Sequence, residues 1–403
     1  MYKLILKMAW KNAFLRRSRT LLLIGMIAVS MSMMLGIQGL YDGMAKNMID
    51  KNRRSGSGDI SMYAKKYRID KDIAHRIDKA DTLKTEIKNI SGVKAIVTRL
   101  SAQGLVSTAR KSSFASLQGI DVQEEEDFGK FSEFLKTGKI DLRKQGALIG
   151  LELAKTLKVK LGSKIIFSTQ DSLGEINSVA LRIRGIVQTT NISLDSNAIF
   201  VDKKKMFELL SMPASQATQI AIMGDDERLY KTLKTKYPDL EVKTFLQLQP
   251  MMQQIQDVML IFNSITFFIV MTVVFVGIMG VMYVSVLDRI REFGIVLGIG
   301  MQYRYIRLQI FLEAIFVGLL GYLMGAILGA VILVYLRDVG LDLSEFSDAL
   351  EMWGYEAVIY ATIKSSYFST TFVAIILASV LSVLLPLRRI KKLNPIEVIK
   401  AEK

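Results

Sequence analysis

The sequence predicts an α+β membrane protein with four transmembrane helices and a large extracytoplasmic mixed α/β domain between the first and the second. Three observations lead to this prediction. Four apolar runs each reach the length of about 20 residues that a bilayer-spanning helix needs. The chain of 403 residues is 51% hydrophobic but also 23% charged, so spans account for only part of it. The stretch between the first two runs, 45–257, is polar and has the length of an ordinary domain.

The ends of the apolar runs set the predicted boundaries. In chain order we expect an amphipathic interfacial helix (1–20), a first span (21–44), an outer domain (45–257), a second span (258–287), a cytoplasmic coupling segment (288–309), a third span (310–336), a short outer loop (337–366), a fourth span (367–387) and a cytoplasmic basic tail (388–403). The first run is longer than the apolar core of a cleavable signal peptide, which has about 7–15 residues. A retained membrane anchor is therefore predicted.

Basic residues at the ends of the spans predict the orientation. The segment between the second and third spans contains Arg289, Arg291, Arg304 and Arg307, and short loops rich in arginine stay in the cytoplasm. Four spans then place both chain termini in the cytoplasm, with Trp10 anchoring the interfacial helix on the inner leaflet. The net charge of +15 is explained by this distribution and by contact with membrane lipid. Nucleic acid is not expected as a partner, because no basic groove with interleaved aromatic residues is visible.

The outer domain contains β-branched or alternating stretches bounded by glycine, which predict strands. They are 93–100, 104–109, 113–120, 164–169, 179–187 and 197–201. Helical patterns cover 70–89, 150–157, 203–210 and 227–236, and a helical stalk is expected at 247–256. The acidic run 124–127 is expected to be a solvated surface, because adjacent carboxylates diverge and do not converge on a cation.

Motifs for catalysis or cofactor binding are missing from the sequence. There is no Gly-x-x-x-x-Gly-Lys-Ser/Thr phosphate loop, no His-Glu-x-x-His and no Gly-x-Ser-x-Gly. The chain has no cysteine and a single histidine, His75, so thiolate and multi-histidine metal sites are excluded. We therefore expect no catalytic, cofactor-binding or metal site, and an energy source on another chain.

Small and charged residues in the third span suggest how it packs. Gly321, Gly325 and Gly329 recur every four residues and predict a packing seam against another span or a second membrane subunit. Glu313, at the start of the same span, is expected to complement the helix dipole or to lie at the membrane interface.

Several segments along the whole chain resemble one protein family. They are Met8-Ala-Trp-Lys-Asn-Ala-Phe-Leu-Arg-Arg-Ser-Arg at the start, Gly39-Leu-Tyr-Asp-Gly-Met-Ala before the outer domain, Gly146-Ala-Leu-Ile-Gly-Leu-Glu-Leu-Ala within it, Arg291-Glu-Phe-Gly-Ile-Val-Leu-Gly-Ile-Gly after the second span, and Leu393-Asn-Pro-Ile-Glu-Val-Ile at the end. The pattern is similar to that of the MacB/FtsX-type ABC transporter permeases, and within them to the lipoprotein-releasing, LolC/LolE-like branch.

The resemblance implies partners, a location and site residues. It implies a permease in the bacterial inner membrane, two copies of an ABC ATPase subunit that hold ATP and Mg²⁺, and a second permease copy or paralogue. It also implies a lipoprotein substrate that is passed to a periplasmic carrier. The residues expected to couple to the ATPase, by docking in its groove or by shaping the turn, are Arg291, Glu292, Phe293, Gly294, Gly298 and Gly300. The residues expected to line an acyl-chain cavity at the outer ends of the first two spans are Met33, Met34, Ile37, Leu40, Met259 and Phe262.

Two other functions stay open at this point. One is efflux of drugs, peptides or toxins, as in the macrolide-exporting members, whose permease is usually fused to its ATPase. The other is control of a cell-wall hydrolase, as in the cell-division members, whose outer domain is much smaller.

Overall fold

The computed structural model describes residues 2–189, 191–224, 227–346, 350, 355 and 357–391. The chain forms two compact units. The span unit contains 1–45, 256–345 and 357–403, and the outer domain contains 46–255 and 346–356. The family-like segment 393–399 and most of the predicted basic tail lie outside the described residues.

Helices make up most of the span unit, and shorter helices lie between the strands of the outer domain. In the described residues they are α1 (Tyr2–Ala13), α2 (Arg17–Ser55), α3 (Tyr67–Asp70), α4 (Ala80–Lys88), α5 (Val122–Gly129), α6 (Leu151–Leu157), α7 (Ile192–Asn197), α8 (Lys203–Leu209), α9 (Glu227–Lys236), α10 (Phe245–Leu248), α11 (Pro250–Asp288), α12 (Ile290–Gly298), α13 (Tyr303–Asp338), α14 (Ser365–Ser382) and α15 (Leu384–Lys391). Four stretches are long and apolar enough to cross a membrane, namely α2, α11, α13 and Ser365–Arg388. With an α/β domain between the first two, they confirm the predicted fold class.

The long helices extend beyond the apolar runs from which they were predicted. The helix that contains 21–44 runs from Arg17 to Ser55, and the one that contains 258–287 already begins at Pro250. Proline suits the first helical position, where its missing N–H has no intrahelical partner to lose. Hydropathy marks the part of a helix that lipid can cover, whereas helix ends depend on caps and turns.

A buried stripe joins the spans near one end of α11. Val274, Ile278, Met282 and Val286 recur every four residues and share one core cluster with residues of α2, α13 and α14. The rest of the helix is different, because no side chain between Gln256 and Val273 is buried. The outer half of α11, defined here as 256–273, therefore has no buried face within the span unit, although Met271 near its end is partly buried against the same cluster.

The strands of the outer domain belong to one extended sheet. They are β1 (Ile60–Ala64), β2 (Ala95–Ser107), β3 (Ser112–Ile120), β4 (Leu135–Gly138), β5 (Gly146–Gly150), β6 (Lys164–Gln170), β7 (Ile176–Val187), β8 (Ala198–Asp202), β9 (Gln219–Met223) and β10 (Leu240–Thr244). In the span unit, β11 (Leu341–Asp342) and β12 (Val358–Ile359) form a separate antiparallel pair.

Strand β2 divides the large sheet into two parts. Its first half pairs with β9, from which the sheet continues to β1 and β10. Its second half pairs with both β3 and β6. Pairing from β3 through β8, β5 and β7 returns to β6, so six strands close a ring. Buried residues such as Leu117, Phe167 and Ile183 form the core of this ring, while Ile87 of α4 and Leu233 of α9 pack on the open part.

Two differences from the predicted elements have clear physical reasons. The stretches 93–100 and 104–109 form the single strand β2, because Gly104 marks a close approach and not a strand end. A Cβ atom there would lie 2.3 Å from the carbonyl oxygen of Ser168. The stretch 70–89 is helical at Ala80–Lys88, with a short turn at Tyr67–Asp70, since the carboxylates of Asp70 and Asp72 accept hydrogen bonds from backbone N–H groups two residues later.

Candidate functional site

The predicted coupling segment 288–309 contains a short helix between two spans. Helix α12 follows the end of α11 at Asp288 and stops before α13 begins. At its C-terminus the N–H of Met301 donates to the carbonyl of Val296 at 3.1 Å, and the N–H of Gly300 donates to that of Leu297 at 3.0 Å. Gly300 has φ +98°. These bonds form the Schellman turn that requires a left-handed residue, which explains this glycine.

Arg289 ties α12 to the third span. Its Nη1 donates to both carboxylate oxygens of Glu313, at 3.0 and 3.2 Å, and its Nε donates to Glu292 at 3.2 Å. The side chains of Arg289 and Glu313 are only 13% and 5% exposed. Gln309 donates a further bond to Glu313 at 3.0 Å. Glu313 is therefore the buried partner of an arginine, a role that the sequence analysis did not assign.

Asp288 ties the same region to the beginning of the first span. Its Oδ2 accepts from Arg16 at 2.7 Å and from Arg19 at 2.8 Å. A cavity of about 260 Å³ lies among these groups and is lined also by Arg289 and Glu313. Opposite charges thus connect α12 and its flanks to both α2 and α13.

The structure corrects the role predicted for Phe293. Its ring is 4% exposed, lies in the core cluster of the spans and sits 5.1 Å below the guanidinium of Arg289. It is therefore unavailable to a partner's groove. Arg291 and Glu292 are exposed as expected, and the exposed apolar residues of this region are Ile295 and Ile299. Periodicity in a nine-residue helix did not reveal which apolar face was buried.

The predicted glycines of this segment differ in what they do. Gly294 is buried within α12, and Gly300 has the positive φ already described. Gly298 is exposed, and a Cβ atom added to it would meet nothing within 4 Å. Of these three, the turn geometry requires Gly300.

The three glycines of α13 face the first span. A Cβ atom added to Gly321, Gly325 or Gly329 would lie 2.6 to 2.7 Å from a side-chain atom of α2. The facing residues, in the same order and at the same four-residue spacing, are Ile27, Met31 and Leu35. This close approach places the glycine seam inside one chain.

The residues predicted to line an acyl-chain cavity have different environments. Met33 and Phe262 are exposed, and Ile37, Leu40 and Met259 are partly buried. Met34 is fully buried, because neighbouring residues on a helix point about 100° apart. Met34 is therefore not accessible to a substrate in this conformation.

In the outer domain, the acidic run 124–127 is not wholly solvated, which corrects the prediction for Glu125. Its carboxylate is buried and accepts two bonds from Arg99, at 2.5 and 2.7 Å. The Arg99 guanidinium also lies 5.2 Å from the ring centre of Phe128. Removing one partner of such a pair leaves an uncompensated buried charge, so this pair fixes α5 against β2.

Two known protein families match different parts of this chain. The FtsX-like permease C-terminal family matches residues 264–395, which include α12. The MacB-like periplasmic core domain matches residues 20–236, more than half of the chain. The chain belongs to the MacB/FtsX family of ABC transporter permeases. The predicted family is thereby confirmed, and the outer domain of this MacB/FtsX permease is of the periplasmic core type.

Alignments with two relatives extend over nearly the whole of this MacB/FtsX permease. The macrolide export ATP-binding/permease protein MacB of Haemophilus ducreyi is 23% identical over 98% of this chain, which spans 56% of that protein. An uncharacterized ABC transporter permease of Methanocaldococcus jannaschii is 24% identical over 99% of this chain and 98% of that protein. The crystal structure of the periplasmic region of MacB from Actinobacillus actinomycetemcomitans covers 48% of this chain and 92% of that structure, at 16% identity and a TM-score of 0.33. None of these names mentions lipoprotein release, which stays a prediction.

Proposed function

We propose that this permease converts ATP hydrolysis by an ABC ATPase into movement of its spans, and thereby exports a substrate at the outer face of the inner membrane. The ATPase binds at the cytoplasmic end, where α12 and both termini lie, in two copies beneath a pair of permeases. The second permease is another copy or a paralogue. The family and the ion-pair network around α12 support this proposal.

The network is the observation that carries the mechanism. A force applied to α12 reaches α13 through Arg289 and Glu313, and it reaches α2 through Asp288 and Arg19. The Arg289–Glu313 pair is buried and resists separation because each charge would be left without a partner. The Arg19–Asp288 pair is largely exposed and holds α2 more weakly. The short helix therefore moves chiefly with the third span when a partner displaces it.

The exposed face of α12 and its C-terminal turn have the composition of a docking surface. Arg291 and Glu292 supply charges, and Ile295 and Ile299 supply apolar area, with Ile299 82% exposed. An apolar anchor surrounded by polar groups is the usual centre of a protein interface. We assign the ATPase groove to this face, with Ile299 in the place that the sequence analysis gave to Phe293.

Export in the manner of MacB is the first candidate for the substrate step. Two relatives whose alignments span nearly the whole chain carry the name of macrolide exporters. The exposed apolar outer half of α11 offers a surface for an apolar or amphipathic compound that arrives from the outer leaflet. Deletion of the gene should then lower resistance to such compounds.

Lipoprotein release is the second candidate. The segments that resemble the LolC/LolE-like branch favour it, and exposed Met33 and Phe262 suit contact with acyl chains. A periplasmic carrier would receive the product. Depletion of the permease followed by fractionation of outer-membrane lipoproteins separates the two candidates, since only this one predicts their retention in the inner membrane.

Coupling is tested by substituting the proposed docking anchor. The permease and its ATPase are reconstituted in nanodiscs, and ATPase binding and stimulation are both measured for Ile299→Asp and Glu292→Lys. Loss of a buried isoleucine side chain at an interface is worth about 1.5–3 kcal/mol, so Ile299→Asp should weaken ATPase binding by roughly 10- to 100-fold. Ile69→Asp, at an exposed isoleucine of the outer domain, is the matched control. Equal ATPase binding by Ile299→Asp and Ile69→Asp would show that this face is not the docking surface.

A further inference from the structure

A wide cleft opens beside the start of the third span. It has a volume of about 940 Å³ and lies between the first turns of α13 and helix α15. Tyr303 holds its two walls together, since its hydroxyl donates to the carbonyl of Leu387 at 2.9 Å. The coupling network around Arg289 does not line this cleft.

The mouth of the cleft is strongly basic. Arg304, Arg307 and Arg388 line it, and no carboxylate of the described residues does. Arg304 is oriented by a hydrogen bond of 3.0 Å from its Nη2 to the hydroxyl of Tyr305 and by stacking over that ring at 4.8 Å. The N-cap residue of α13 makes no side-chain hydrogen bond to the helix, so the positive end of the helix dipole adds to the attraction for an anion.

These arginines differ from their neighbours in having no acidic partner among the described residues. Arg16 and Arg19 share Asp288, and Arg289 binds Glu313. In contrast, no described carboxylate lies within ion-pair distance of Arg304 or Arg307. Guanidinium groups that share one cleft and have no acidic partner in the described part of the chain favour an external anion as their partner.

Below the arginines the cleft becomes apolar. Leu308, Phe311 and Ile315 follow one another at helical spacing along the wall of α13 and extend over about 10 Å toward the middle of the span. Leu384 faces them from α15 and is half exposed. This surface lies on a helix that is long and apolar enough to cross a membrane. Phe311 and Ile315 fall within the predicted span 310–336, where hydrocarbon chains are the available occupants.

We propose that this cleft is a binding site for an anionic phospholipid of the adjacent leaflet. The phosphate head group binds between Arg304, Arg307 and Arg388, and an acyl chain lies along Leu308, Phe311 and Ile315. Basic pockets between spans hold such head groups in other membrane proteins. The site does not depend on which substrate is exported.

The test is retention of lipid by the full-length permease. The protein is first incorporated into nanodiscs of phosphatidylcholine with or without phosphatidylglycerol. It is then extracted in mild detergent, and the lipid that stays bound is counted by native mass spectrometry. Each arginine near a lipid phosphate contributes about fivefold in affinity, so Arg304→Gln with Arg307→Gln should weaken phosphatidylglycerol binding by roughly 25-fold. Lys11→Gln with Arg17→Gln removes the same charge from exposed positions outside the cleft and should have no effect. Equal losses in the two double variants would overturn the proposal in favour of diffuse surface attraction.

A second variant tests the apolar wall. Ile315→Trp fills the lower cleft without changing charge, and it should release phosphatidylglycerol from protein that still elutes as a folded species. Inorganic phosphate should not displace the lipid, and displacement would indicate a simple anion site. If the arginine variant keeps its lipid but loses binding of the ATPase, the cleft is a protein-docking site and the proposal is wrong.

Discussion

The ion pair between Arg289 and Glu313 makes a quantitative prediction about stability. The perturbations are Arg289→Gln, Glu313→Gln and the double variant, each of which removes charge; Glu313→Gln keeps the size of the side chain, whereas Arg289→Gln shortens it. Because the two side chains are buried, the cost of each change depends on which charge is left behind. In the structure, Arg289 and Glu313 differ in the polar partners that each would keep after the other is replaced.

Arg289→Gln should be the more damaging single change. Among the described residues, it leaves the buried Glu313 carboxylate with only the amide of Gln309 as a donor, and an uncompensated buried charge costs about 3–5 kcal/mol. After Glu313→Gln, Arg289 still has Glu292 at 3.2 Å, and that carboxylate is 67% exposed. The expected cost is then about 1–3 kcal/mol. The double variant leaves no charge unpaired at this pair, so it should be less damaging than the sum by about 0.5–3 kcal/mol.

The free energy of unfolding is measured by titrating the detergent-solubilised protein with sodium dodecyl sulfate. Trp10 is a suitable fluorescent probe, because its ring contacts Phe316 of α13 edge-on at 5.3 Å. A refolding titration checks that unfolding is reversible. Equal costs for the two single variants, or strict additivity in the double variant, would refute the reasoning.

Three further predictions concern other parts of the chain. Phe293→Ala should lower the free energy of unfolding by about 3–5 kcal/mol, whereas Ile299→Ala, at an exposed position, should change it by less than about 0.5 kcal/mol in the same titration. Gly325→Val should destabilise the spans by about 1–3 kcal/mol, because its Cβ would lie 2.6 Å from an atom of α2. Gly280→Val, where a Cβ meets nothing within 4 Å, should not, and similar melting temperatures would contradict the seam. Burial raises the pKa of Asp195 from 3.8 to about 6, so the folded protein keeps this proton at a pH where the unfolded chain has lost it. The free energy of unfolding should therefore fall by about 2 kcal/mol between pH 4 and pH 6, and chemical denaturation of Asp195→Asn should lack this decrease.

The sequence predicted the membrane architecture because lipid imposes a simple rule. A span must be apolar over about 20 residues, so the four long helices are visible in composition alone. Their ends are not, as α2 shows by continuing to Ser55. The backbone hydrogen bonds of a helix continue through polar residues, so the hydropathy pattern does not show where the helix ends.

The position of the proposed coupling segment was predicted, but the orientation of its side chains was not. Residues 288–300 do form the connecting helix and turn, yet the periodicity of α12 did not distinguish buried Phe293 from exposed Ile299. Glu125 was misplaced for a similar reason. Its burial depends on Arg99, 26 residues earlier in sequence, and a local pattern contains no information about such a partner.

The outer half of α11 has a consequence for how this permease depends on its surroundings. Because no side chain from 256 to 273 is buried, the protein itself supplies little that fixes the angle of this half-helix. A helix in that situation takes its tilt from the match between its apolar length and the thickness of the bilayer. Bilayer thickness therefore determines the tilt of this half-helix. A detergent micelle has no fixed thickness and does not determine it.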